Sequence, residues 1–291
     1  MFRIGLFIAT NIAIMALISI TFSLFGVQGL LAENGVDLNL KALLIYSAVI
    51  GFSGAIISLL LSKFMAKRSM RVQVITDPKS DTERWLMHVV RKQAEHANIG
   101  MPEFGIFDSP SPNAFATGWN RNNSLVAVST GLLQHMPKNE VEAVLAHEIS
   151  HVANGDMVTM TLLQGVINTF VVFLSRIIGH VVDRVVFKVE RGHGPAFWIV
   201  SIIAEVLLGI LAHVITMWFS RYREFRADAG AAKMVGNQNM IAALQRLKSG
   251  PVDAGLPKEV SALGINGGSL KALFSSHPPL DKRIQALQQS R

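Results

Sequence analysis

Cysteine is absent from the 291 residues, so the chain has neither disulfides nor thiolate-ligated metals. Charge is scarce as well: Asp, Glu, Lys and Arg make up 16% of residues against 50% hydrophobic, and mean hydropathy is +0.38. The shortage is concentrated in blocks. Ile4 to Gly26 and Ala42 to Ser62 contain no charged residue at all, and each has the roughly 20 apolar residues that cross a bilayer as a helix. The first run is longer than the ~7–15-residue core of a cleaved signal peptide, and a second follows it closely. The pair therefore reads as a retained transmembrane hairpin over 1–62. Lys and Arg are missing from the loop between the runs, Val27 to Leu40, which holds Glu33 and Asp37. Basic residues instead flank the pair, with Arg3 before it and Lys63, Lys67, Arg68 and Arg71 after it. The positive-inside rule then places both ends in the cytoplasm. The formal charge of +7 is assigned to topology and lipid headgroups. The basic residues lack interleaved aromatics, so no nucleic-acid partner is expected.

From Arg71 to about Gly155 the chain reads as water-soluble. Val72, Val74 and Thr76 alternate as in a short strand, and Thr82 to Asn98 is amphipathic with Trp85, Val89, Val90 and Ala94 on one side. Three strand candidates follow, Glu103–Phe107, Asn113–Thr117 and Ser124–Val128, separated by turn-rich "DSPSPN" and "GWNRNN". They predict a small antiparallel sheet. Glu140 to Val152 is helical, with Val141, Val144, Leu145 and Ile149 forming its apolar stripe. Two more apolar stretches, Met157 to Ile178 and Ala196 to Phe219, are long enough to span, and Arg221, Arg223 and Arg226 follow the second.

The stretch "AVLAHEISHVANGD", residues 143–156, carries His147-Glu148-x-x-His151. Residues four apart on a helix point the same way, so both imidazoles can reach one metal ion. Glu148, one residue on, can approach a metal-bound water as a base without being a ligand. A catalytic zinc takes three protein ligands and leaves a position open. Downstream, "EFRAD" offers Glu224 as the third ligand, and Asp228 one turn later as a carboxylate to hold a histidine's far N–H. Glu205 reads instead as a bundle-facing carboxylate bonded to Gln164 or Asn168. For His147 and Glu224 to share one ion, the two intervening apolar stretches must both cross the membrane or both stay out.

Four motifs in order, "NAFATG" (113–118), "AVLAHEISHVANGDMVTMTL" (143–162), "REFRADAGAA" (223–232) and "HPPLDKRI" (277–284), resemble the HtpX membrane zinc peptidases of bacteria, relatives of the CAAX prenyl-protein endopeptidases. The likeness covers essentially the whole chain. It implies an α+β integral membrane protein: a gluzincin-type peptidase domain in the cytoplasm, built from 63–156 and 220–291, with up to four transmembrane helices from 1–62 and 157–219. It implies one zinc per chain at His147, His151 and Glu224, with Glu148 as catalytic base. It further implies quality control of damaged or misfolded membrane proteins, under stress, in the bacterial inner membrane, with the lipid bilayer and membrane-protein substrates as partners. By the same resemblance Asn113, Ala114 and Phe115 lie along the substrate cleft on an edge strand. His277 steadies the oxyanion, and Arg283 either shares that role or pairs with Asp281 or the zinc-site carboxylates. Asp156 is expected to cap the helix that follows. Two other readings stand beside this one. A zinc-stapled adaptor without activity needs the ligands but has no use for Glu148. An intramembrane protease would place the His-Glu-x-x-His motif inside a long apolar span.

Overall fold

The computed structural model describes residues 38–190, 192–249 and 275–290, together with Ile20 and Gly29. The first apolar run, its loop, and the "INGGS" region lie outside the described residues. The chain divides into two compact units, one of Met1–Ile57 with Thr159–Thr216, the other of Ser58–Val158 with Met217–Arg291.

Three described helices are long and apolar enough to cross a membrane: Leu40–Ser69 (α1), Asp156–Val181 continued by a π turn over Val182–Val186 (α5), and Pro195–Val235 (α6). In the first unit Leu40 and Leu44 of α1 bury against Phe173 of α5. Several hydroxyls there bond back to their own helix, as Thr169 does to the Gly165 carbonyl at 2.8 Å and Thr216 to that of Ala212 at 2.9 Å. An apolar surrounding demands such pairing. Ile45, Val49 and Ile56 of α1 and Ile199, Ile203 and Leu207 of α6 stay exposed, the bare apolar surface that lipid chains cover. Glu205 is not bonded to Gln164 or Asn168. Those two bond each other at 2.7 Å, and Glu205 lies 3.6 Å from Arg176.

The second unit is built on a four-stranded sheet of order β1-β2-β4-β3, with β1 Gln73–Val74, β2 Glu103–Phe107, β3 Ala114–Asn120 and β4 Asn123–Ser129. The expectation of an antiparallel sheet needs correcting, because β2 and β4 run parallel, Phe104 opposite Val126. The reason is the path of the chain. After β2 it crosses to the far edge to lay down β3, and the hairpin at Arg121 and Asn122 returns β4 to the middle. Period-two alternation reports which face a residue occupies and is silent on strand order. Ser124 to Ser129 are all buried, as befits a central strand covered on both faces. β3 pairs with β4 alone among the described strands, and so forms an edge.

Helix α2 (Asp81–His96) opens with a capping box in which Ser80 and Glu83 exchange hydrogen bonds, satisfying donors left bare at a helix start. A short turn α3 (Thr130–His135) leads to α4 (Lys138–Asn154), and α7 (Asn237–Ser249) and α8 (Leu280–Gln289) close the unit. Val90, Phe104, Val128, Leu145, Ile149 and Leu244 share its core. Polar ties fix α4 within it. Trp85 donates to Glu142 at 3.2 Å, Gln93 donates to the Glu142 carbonyl at 2.8 Å, and Arg246 holds the buried Glu140 at 2.9 Å.

Candidate metal centre

Helix α4 carries His147 and His151 one turn apart, and both point to one place: their Nε2 atoms are 3.1 Å apart, with the rings edge to face. Gly155, at φ 68°, ends the helix in a left-handed turn that a side chain would strain, and this reversal starts α5 at Asp156. Helix α6 runs unbroken for 41 residues from its apolar part through "EFRAD", and so delivers Glu224 and Asp228 on adjacent turns. The buried Glu224 carboxylate lies 3.4 Å from His147 Nε2 and 3.3 Å from His151 Nε2. Ligand atoms of His147, His151 and Glu224 all fall within 4.8 Å of one another.

The far nitrogens explain why this cluster suits a cation. His147 Nδ1 faces Asp228 at 2.9 Å, and His151 Nδ1 faces Asp156 at 2.7 Å. Each Nδ1 therefore carries the hydrogen that its carboxylate accepts, which leaves each Nε2 as the atom that a proton or a metal ion can occupy. Both Nε2 atoms and the Glu224 carboxylate then converge on one point. Glu224 Oε2 is buried without an aligned hydrogen bond, although His277 Nδ1 is 2.7 Å away and Arg283 3.2 Å away. Such a set of acceptors is stable only around a positive charge, and two imidazoles with one carboxylate match the donor chemistry of a catalytic zinc site. The protein's field points the same way. Burial disfavours charge on His151, but the Asp156 and Glu224 carboxylates outweigh it and push its pKa up to about 9. His147 is also raised, burial again opposing and Asp228 with Glu224 prevailing.

Arg283 closes the centre from below. Only 5% exposed, it donates to both Asp228 oxygens at 2.6 and 2.7 Å. Its expected alternative partner, Asp281, is held instead by Lys248 at 2.6 Å. Asp156 was expected as a helix cap. It is indeed the first residue of α5, yet its carboxylate, 1% exposed, is spent on His151 and on Arg226 at 2.6 Å. Sequence reasoning missed this role. The available signal was a glycine four residues after His151, able to turn the next carboxylate back onto the ring.

A cavity of about 640 Å³ opens beside the centre and is lined by Asn113, Ala114, His147, Glu148, His277 and Arg283. Glu148 is half-buried on its wall. Apolar side chains line it too, namely Leu132, Val144, Met240, Leu244, Leu247 and Leu280. Phe115 does not line it but packs on Phe107, ring centroids 5.5 Å apart.

The model of peptidase family M48 matches residues 80–291. The chain is 74% identical over 288 residues to Protease HtpX of Pseudoalteromonas atlantica, covering 99% of both. It is 60% identical to Protease HtpX of Thioalkalivibrio sulfidiphilus over 289 residues and to the Protease HtpX homolog of Nitrosomonas europaea over 288, with 98% of each chain covered in both comparisons. Among solved structures it is similar to Ste24p of S. mikatae, with a TM-score of 0.61 at 21% identity, over 93% of this chain and 66% of that one.

Proposed function

The chain belongs to peptidase family M48 and is a membrane metallopeptidase; from that premise we propose that it is a zinc endopeptidase of the bacterial inner membrane, cutting exposed cytoplasmic segments of misfolded membrane proteins. The observation that carries the reading is the convergence of two Nε2 atoms and the Glu224 carboxylate at the mouth of a cavity that Glu148 also lines. A zinc ion held by His147, His151 and Glu224 would polarise a water and the scissile carbonyl. Glu148 accepts the water's proton as oxygen joins the carbonyl carbon, and returns it to the nitrogen as the C–N bond breaks. Asp228 and Asp156 keep both histidines in the tautomer with Nε2 free. Arg283 balances the buried carboxylates. His277, its Nδ1 2.7 Å from Glu224, lines the cavity where a ring N–H can be offered to the oxyanion, a contact worth about 10²–10³ in rate.

Substrate choice follows from the edge strand. Asn113 and Ala114 adjoin the cavity, and β3 pairs on one side only among the described strands, so an extended chain can add to its other side by main-chain hydrogen bonds. A folded domain offers no such stretch of free backbone, whereas a misfolded one does. Placement of the second unit in the cytoplasm rests on the basic residues after α1 and in α6.

The test uses the full chain in liposomes with a membrane protein whose cytoplasmic domain is either folded or unfolded by mutation. The reading expects cleavage of the unfolded form only, with product ends mapping to the cytoplasmic segment. Equal cutting of both forms, or product ends inside an apolar span, contradicts it.

A further inference from the structure

A second pair of histidines sits in the first unit, at the C-terminal end of α5. His180 Nε2 and His193 Nε2 are 3.1 Å apart, the same separation as between the two nitrogens of His147 and His151. A metal ion bonded to both at about 2.0–2.1 Å would subtend an angle of about 100°, between the octahedral and tetrahedral values. We propose that His180 and His193 form a second metal site, for a divalent transition-metal ion of the kind that selects imidazole, completed by water.

The site is built, because twelve residues lie between the two histidines and the loop that carries them is stitched. Asp183, 1% exposed, accepts from the Gly194 N–H at 2.9 Å and the Phe197 N–H at 3.2 Å, and so ties the start of α6 to the end of α5. Arg184 donates to the Val189 carbonyl at 2.5 Å. A Cβ at position 194 would lie 2.7 Å from Asp183 Oδ1, so a side chain there would displace the carboxylate that ties the loop. Phe197 supports both imidazoles, its centroid 4.7 Å from His180 and 4.1 Å from His193. His193 is exposed, which gives an ion access from solvent. Imidazole nitrogens select Zn²⁺, Cu²⁺ and Ni²⁺ over Mg²⁺ and Ca²⁺. With two protein ligands against three, this site holds its ion more weakly than the centre on α4. Its occupation would clamp the α5–α6 loop. The inference is independent of the peptidase reading.

The experiment takes the tag-free full chain in detergent, strips it with a chelator, and titrates Zn²⁺ against wild type, His193→Ala, His193→Gln and Glu224→Gln. About two equivalents are expected in wild type, and in both His193 variants only the tighter one remains, which also shows that they fold. Glu224→Gln should keep the weaker equivalent and lose or loosen the tighter. A weaker equivalent that is missing from wild type, or that persists in the His193 variants, overturns the proposal and reduces the pair to a plain N–H···N hydrogen bond.

Discussion

Replacing Asp156 by Asn tests whether the metal centre depends on what lies behind its ligands. The side chain keeps its size, so no cavity opens. The change removes one negative charge at 2.7 Å from His151 Nδ1. A carboxylate there fixes the ring so that Nε2 is free, and it raises the basicity of that nitrogen. An amide accepts more weakly and can also turn its NH₂ to the ring, which then flips its tautomer and puts a hydrogen where the ion should bind. Loss of such a partner typically weakens metal affinity 10–100-fold, about 1.4–2.7 kcal/mol. Arg226, which with Arg223 also pairs with this carboxylate, is 46% exposed and can turn to water, so Arg226→Ala should change affinity by under ~1 kcal/mol. The assay is competition for Zn²⁺ with a chromophoric chelator, in detergent at fixed pH. Asp156→Asn should release zinc at about 10–100-fold lower chelator, and Arg226→Ala close to wild type. An Asp156→Asn affinity within twofold of wild type, or an equal loss in Arg226→Ala, would refute the reasoning.

Arg283→Met leaves the buried Asp228 and Glu224 facing each other without their shared cation. It should destabilise the zinc-free protein by about 3–5 kcal/mol, read as a lower melting temperature in detergent, with Arg283→Lys rescuing only part because it lacks the two-pronged geometry. Glu103 carries a pH dependence. Burial raises its pKa, but Lys63 at 2.7 Å and Lys67 outweigh that and hold it below the usual glutamate value. A depressed folded-state pKa stabilises above the unfolded value and is lost as pH falls through the folded one, so wild type should lose more stability than Glu103→Gln between pH 5 and pH 3. The carboxylate is 39% exposed, which keeps the difference under ~1 kcal/mol. Equal loss in the two proteins would show that these ion pairs contribute nothing.

Local periodicity accounts for what was legible in the sequence. The 3.6-residue repeat puts His147 with His151, and Glu224 with Asp228, on single faces whatever the rest of the fold does. The apolar spans were visible from their length and lack of charge, although the change to charge at Arg221 marks no end of helix: α6 continues through it to Val235. What was not legible is tertiary. Strand alternation could not show β4 returning between β2 and β3. The role of Asp156 depends on the turn at Gly155, and the pairing of Glu205 with Arg176 depends on how α5 and α6 align. The meeting of His180 with His193 hangs on the buried Asp183. The basic residues show the same limit. Lys63, Lys67 and Arg226 were read as topology signals, and each also serves a specific carboxylate in the fold.

The central claim is that His147, His151 and Glu224 hold a zinc that Glu148 uses for peptide hydrolysis. The most direct measurement sets zinc content after dialysis against a weak chelator beside cleavage of an unfolded protein substrate, for wild type and Glu148→Gln. About one tightly held zinc in each, with cleavage lost by about 10²–10⁴-fold in the variant alone, is the predicted result. A wild-type protein that retains no zinc, or a Glu148→Gln protein that cleaves as wild type does, would contradict it.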